Sequence, residues 1–326
     1  MLNNSILVPL DGSTFAESAL PVALDVAQRK GARLHVVQVN EPVMLPVDPM
    51  GLPDLSEWKR AAELQAEEYL QSIANRCVEE AGVSVRTEFL QGKTATALAM
   101  YVTEMDVGLI VMTTHGRGGI NRVWMGSVAD ALVRRVRVPV LLLRPAPAGT
   151  NPQFAARHIL VTLDGSDLAT RAIERAVELG TVFGARYTLL RVVLPNPLVP
   201  APLVYPRKDQ LELVARERSA AFGQLESEAS ILRARGLDVQ TVVVEAHNPA
   251  TAILQFALEN DVDVIALATH GRGGWSRVAL GSVADKVMRG STIPVLLYRP
   301  GAEPVRTATP LSGSAAAEWT ARVRAS

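Results

Sequence analysis

The sequence predicts an α/β protein of two tandem, doubly wound domains, each a five-stranded parallel sheet with helices on both faces. Three observations predict it: the chain repeats itself in order, its apolar β-branched runs alternate with helical patterns, and those runs are apolar throughout instead of at every second residue. "ILVPLDGS" at Ile6–Ser13 returns as "ILVTLDGS" at Ile159–Ser166, and "VPVLLLRP" at Val138–Pro145 returns as "IPVLLYRP" at Ile293–Pro300. Between these markers, "TTHGRGGINRVWMGSVAD" from Thr113 matches "ATHGRGGWSRVALGSVAD" from Ala268. The copies stay in step to within two residues. They assign one domain to 1–146, a Pro/Gly/Ala-rich linker to 147–156, a second domain to 157–300 and a tail to 301–326. The tail lacks strand periodicity and is expected to be mobile, with at most a short helix near Ala315–Val323.

Taken in order, the first half offers strands at Ile6–Leu10, Leu34–Val39, Val83–Leu90, Val107–Thr113 and Val138–Leu143. Helical patterns lie between them at Thr14–Lys30, Leu55–Ala81, Thr94–Glu104 and Ser127–Val136. Pro21 sits inside the first of these, so that helix starts late or kinks there. The second half repeats the strands at Ile159–Leu163, Tyr187–Val193, Leu237–Glu245, Val262–Ala268 and Ile293–Tyr298.

Composition narrows the function classes. A chain of 326 residues with 48% hydrophobic residues can bury a sizeable core. Thirty-three basic and 33 acidic residues balance, so no overall field favours nucleic acid or an anionic membrane. Aromatics at 5% leave little for base stacking. The one cysteine, Cys77, excludes an intrachain disulfide framework and is expected to be a buried small apolar residue. No basic segment followed by an apolar run opens the chain, and no apolar stretch approaches about 18 residues. The expected address is cytoplasmic, away from membranes.

In open parallel sheets, ligands bind beyond the carboxyl ends of the strands, where the winding reverses. Two loops of each half end there. One is "LDGS": Asp11, Gly12 and Ser13, then Asp164, Gly165 and Ser166. The other is the glycine-rich segment after the fourth strand. There Gly116, Gly118 and Gly119 permit close backbone approach, Arg117 and Arg122 add cationic forks, and Gly126-Ser127 opens a helix. Gly271, Gly273, Gly274, Arg272, Arg277, Gly281 and Ser282 repeat the set. Ser127 and Asp130, like Ser282 and Asp285, have the spacing of a capping box. A helix start of this kind attracts phosphate. No GxxxxGK[ST] loop is present, and no His-x-x-x-His or Cys-x-x-Cys spacing suggests a metal. His115 and His270 have no nucleophile and acid at suggestive spacing and read as structural or ligand-orienting. Asp11 and Asp164 either accept hydrogen bonds from a ligand, hold Mg²⁺ through water, or cap their own turns.

With these motifs in hand, the chain resembles a tandem universal stress protein. The resemblance rests on "ILVPLDGS", "DVGLIVMTTHGRGG", "GSVAD" and "VPVLLLRP", in that order and twice. It implies a Rossmann-like fold and a cradle of the form G-x2-G-x9-G-[ST] for ATP. The matching positions are Thr113, Gly116, Gly126 and Ser127, then Ala268, Gly271, Gly281 and Ser282, so Thr113 and Ala268 replace the first glycine. It also implies adenine contacts from Asp11 and Asp164 and backbone contacts matching Val39 and Val192, with His115, Arg117, Gly119, His270, Arg272 and Gly274 lining the nucleotide. Dimerisation through the last strand, likewise implied, becomes an expected pairing of the two halves within one chain, with a homodimer left open. The reading that follows is a nucleotide-dependent stress-response regulator with an unidentified signalling partner. Two alternatives stay open: an interaction module without nucleotide, or an enzyme such as a slow ATPase. The HxGH signature of related transferases is missing after the first strand, where "LDGS" stands.

Overall fold

The first strand, β1 (Ser5–Leu10), is buried along almost its whole length, as a central strand between two helical layers must be. The computed structural model describes residues 4–41, 55–114, 126–144, 154–195, 208–269 and 280–299. After β1 come α1 (Thr14–Glu17), α2 (Leu20–Lys30), β2 (Arg33–Asn40), α3 (Leu55–Ala81), β3 (Val85–Gln91), α4 (Thr94–Glu104), β4 (Leu109–Thr113), α5 (Ser127–Arg135) and β5 (Val140–Leu143). The second half runs β6 (His158–Thr162), α6 (Asp167–Gly180), a 3₁₀ turn at Thr181–Phe183, β7 (Arg186–Val193), α7 (Lys208–Ala234), β8 (Val239–Glu245), α8 (Pro249–Glu259), β9 (Val264–Ala268), α9 (Ser282–Gly290) and β10 (Val295–Tyr298). The expected linker lies mostly outside the described residues, and the expected tail helix wholly so.

Pro21 acts as the sequence suggests, though the result is a break and not a bend. Helix α1 ends at Glu17, and Pro21 falls in the first turn of α2, where its missing N–H is no loss. Glu174 takes the matching place in α6, which runs unbroken.

All ten strands form one sheet in the order β3-β2-β1-β4-β5-β10-β9-β6-β7-β8. Among the described residues, pairing is parallel within each half and antiparallel only where β5 meets β10, with Leu141 opposite Leu296 and Leu142 opposite Val295. The strand that would be an edge in each half is therefore covered by its counterpart. The outermost strands β3 and β8 are only half-buried, and β3 carries Arg86 and Glu88.

Two apolar cores sandwich the sheet. Helices α1–α3, α6 and α7 supply one, and α4, α5, α8 and α9 supply the other; each runs across the junction between the halves. Cys77 is buried in the first, and burial pushes its thiol pKa up, as the sequence leads one to expect of an inert cysteine. Across the junction the Arg29 guanidinium lies 4.7 Å from the Phe183 ring centre.

Candidate functional site

At the carboxyl end of β1, Asp11 folds back on its own turn. Its Oδ1 accepts from the Ser13 N–H at 3.0 Å and from the Ser13 hydroxyl at 2.5 Å, while Ser13 Oγ accepts from the Ala16 N–H at 3.2 Å and caps α1. Gly12 sits at φ +80°, a conformation that disfavours any side chain. The second half reproduces the turn. Asp164 Oδ1 accepts from Ser166 N–H at 3.0 Å and its hydroxyl at 2.6 Å, Ser166 Oγ accepts from Ala169 N–H at 3.3 Å, and Gly165 has φ +84°. Of the readings open for these aspartates, turn capping is thus in place, and it engages one carboxylate oxygen.

At the end of β4 the backbone closes a loop. The Thr114 N–H donates to the Leu143 carbonyl at 2.9 Å, and the Thr114 carbonyl accepts from the Gly126 N–H at 2.7 Å. Thr269 repeats this with Tyr298 (2.9 Å) and Gly281 (2.7 Å). Each glycine-rich segment therefore leaves and returns at one point, directly before a helix. His115, Gly116, Arg117, Gly119, His270, Gly271, Arg272 and Gly274 lie outside the described residues, as do Gly118, Arg122, Gly273 and Arg277.

The helix starts correct one expectation. Gly126 and Gly281 are the N-caps of α5 and α9 and provide no side-chain cap. Ser127 and Ser282 are the first helical residues, both exposed. Asp130 and Asp285, expected as capping-box acids, instead turn along the helix. Asp130 accepts from Arg134 at 2.8 and 2.9 Å, and Asp285 accepts twice from Arg289 Nε at 2.9 Å. A serine that has become helical cannot cap, and the i,i+4 arginine offers its carboxylate neighbour a charge-assisted fork. The first-turn N–H groups of such a start have no partner within the helix itself.

Register brings the separate strand ends together. Leu10 lies opposite Gln38, and Leu7 opposite Ile110, so continuing each ladder sets Asp11 level with Val39 and Thr114. In the second half Thr162 lies opposite Leu190 and Leu267, which sets Asp164 level with Val192 and Thr269. Val39 and Val192 are half-buried. Thr113 is buried in β4 opposite Leu143, and Ala268 is half-buried opposite Tyr298.

Two arrangements near these ends escaped the sequence reading. Tyr69 donates to Glu17 at 3.0 Å and Arg76 pairs with Glu17 at 2.7 Å, bracing α1 against α3. Burial, then Glu17 and more weakly Asp11, push the Tyr69 pKa up, so this brace stands in the field of the Asp11 turn. Its only trace in the sequence is that Glu17, Tyr69 and Arg76 become Thr170, Phe222 and Ala229 in the second copy. The other is Arg144, taken up below. Among the described residues no group of three His, Cys, Asp or Glu is placed to hold a metal, and no helix is long and apolar enough to cross a membrane.

A model of the universal stress protein family matches residues 3–144 and again residues 155–299. The chain belongs to the universal stress protein family. A universal stress protein of Mycobacterium tuberculosis is 27% identical over 323 residues, spanning 91% of this chain and 95% of that one. One from Methanocaldococcus jannaschii is 31% identical over 146 residues, 44% of this chain and 83% of its own. Among solved structures, a universal stress protein from Archaeoglobus fulgidus superposes with a TM-score of 0.66 at 22% identity, over 92% of this chain and 98% of that one. The tandem organisation and the Rossmann-like sheet are thus those of this family.

Proposed function

We propose that this universal stress protein binds ATP in each half and acts as a cytoplasmic, nucleotide-dependent stress-response regulator. The observation that carries the reading is the pair of helix starts, α5 and α9. Each follows a glycine-rich segment, lacks a side-chain cap from its N-cap residue, and sits at the same carboxyl end of the sheet as an Asp-Gly-Ser turn. Such a start offers N–H groups and a positive dipole end, which fit a phosphate. Phosphates would rest on Gly116, Gly126 and Ser127, and on Gly271, Gly281 and Ser282. Asp11 and Asp164 would face the nucleoside or a water-bound Mg²⁺, and Val39 and Val192 would present backbone to the adenine. Bound nucleotide would alter the surface that a signalling partner meets.

The test is nucleotide content and affinity. Protein purified without added ligand is expected to carry ATP by mass spectrometry, or to bind it by calorimetry. Ser127→Asp with Ser282→Asp places a carboxylate where the phosphates would lie, and should weaken ATP by at least about tenfold while leaving helix stability unharmed. Unchanged affinity would remove the cradle assignment. A second reading, an interaction module without nucleotide, is favoured by one observation: a buried Thr113 side chain stands at the first position of the cradle pattern. Nucleotide-free protein that fails to bind ATP would establish that reading instead.

A further inference from the structure

We propose that Arg144, a residue of the first half, is the positioning residue for the helix that opens the anion site of the second half. Arg144 follows the last residue of β5. Its Nε donates to the Ser291 carbonyl at 2.5 Å and a terminal nitrogen donates to the Arg289 carbonyl at 2.5 Å. Ser291 is the C-cap of α9. Both acceptors therefore belong to the last turn, whose carbonyls have no partner inside the helix. A guanidinium there meets the negative end of the dipole and holds two carbonyls with one planar fork.

The clamp is rigid at both ends. On the α9 side, Ser291 is buried, its hydroxyl donates to the Ile293 carbonyl at 2.7 Å, and it accepts from the Ile293 N–H at 3.2 Å. On the first-half side, the neighbouring Leu143 carbonyl takes the Thr114 N–H, within the same strand end that closes the first loop. The antiparallel β5–β10 ladder carries Arg144 to α9. A nine-residue helix is about 13 Å long and behaves as a short rod. Fixing its last turn consequently fixes the start at Ser282, where the second site opens. Arg289 adds a link inside the rod, since its side chain holds Asp285 in the first half of the helix while Arg144 holds its carbonyl. The equivalent Arg299 follows the last residue of β10 and stands in the field of Arg137, beyond the last turn of α5.

This inference rests on the nucleotide reading for what the site binds, but not for the clamp itself. Its consequence is directional. Truncating Arg144 removes contacts to α9 while the first half keeps its own backbone bonds at Thr114 and Gly126. The second site thus depends on a residue from the other domain.

The experiment has two arms, both on the full chain. In ligand-free protein, amide hydrogen exchange over 285–291 should rise about tenfold in Arg144→Gln, the loss expected of a charge-assisted pair, with α4 and α8 unchanged and Arg144→Lys intermediate. Exchange in α9 that stays at the parent rate, or that rises equally in every helix, would overturn the clamp. In the second arm, ATP is titrated against chains in which Ser127→Asp isolates the second site or Ser282→Asp isolates the first. Arg144→Gln should weaken the second site about tenfold and move the first by less than about twofold. Equal weakening of both sites would overturn the positioning role. If the parent chain binds no ATP, the nucleotide reading falls, and the exchange arm alone decides the clamp.

Discussion

His35 and Tyr101 share a buried hydrogen bond, Nδ1 to hydroxyl oxygen at 2.9 Å, with their rings edge to face. It ties β2 to α4 at the opposite end of the sheet from the candidate site. In the second half Thr188 stands at the position of His35, and its Oγ1 meets Nε2 of His158, on the neighbouring strand β6, at 2.9 Å. Burial, followed by the charges of Arg86 and Arg33, pushes the His35 pKa down to about 4. Its unfolded counterpart takes a proton near pH 6.5, so the unfolded state binds more protons below that pH. The contribution is therefore fully present above about pH 6.5 and is lost as pH falls towards 4. Burial shifts His158 in the same direction. Stability to denaturant at pH 5 should be about 2 kcal/mol below that at pH 7 on account of His35. His35→Gln, which keeps an acceptor for Tyr101, should flatten that slope; an identical slope in the variant would exclude His35 as its source.

Gly12 and Gly165 each precede the serine that caps the following helix, at φ +80° and +84°. Alanine at either place should cost about 1–3 kcal/mol, read from the denaturant midpoint. If the turns form part of the nucleotide site, the same variants should weaken ATP at the affected half alone.

Gly180 is constrained by space, not by backbone angle. A β-carbon there would meet the Tyr187 hydroxyl at 2.4 Å and both Ala185 Cβ and Ile159 Cδ1 at 2.8 Å. Gly180→Ala should destabilise by about 1–3 kcal/mol through overpacking, despite the better helix propensity of alanine. Thermal unfolding with Tyr187→Phe added should recover part of the loss, because the closest clash is removed.

The Glu17–Tyr69–Arg76 brace belongs to the first half only. Tyr69→Phe, which installs the residue found at Phe222, should cost about 1 kcal/mol. Its coupling with Arg76→Ala should be about 0.5 kcal/mol in a double-mutant cycle, small because Arg76 is half-exposed, and should shrink in 1 M salt. A coupling that salt does not change would mean that packing, not charge, joins the pair.

Much of the fold was legible because its signals are local. Helices α3 and α4 run over the residues the periodicity marks out, and the strands differ from expectation by a residue or two at their ends. Pro21 announced an interruption, but whether the chain would bend or break depended on where α2 could find a first turn. At the candidate site the Asp-Gly-Ser turns and the Gly-Ser helix starts were legible as types. The partners of Asp130 and Asp285 were not, since a carboxylate three residues after a serine suits a capping box as well as an i,i+4 pair with arginine. That competition is decided by the backbone angles of Gly126 and Gly281, extended at ψ 144° and 142°, which make the glycine and not the serine the cap.

By itself the sequence determined the duplication, the alternation of apolar strands with helices, and the spacing of glycines and serines beyond the carboxyl ends of the strands. These follow from periodicity and from residue types whose preferences act over a few positions. Tertiary structure decided how the halves meet: β5 against β10, antiparallel, with Leu141 opposite Leu296, two cores made continuous, and Arg144 fastened to the end of α9. Those contacts join residues about half a chain apart. Their energies depend on register and burial, which exist only once both halves have folded and found one another.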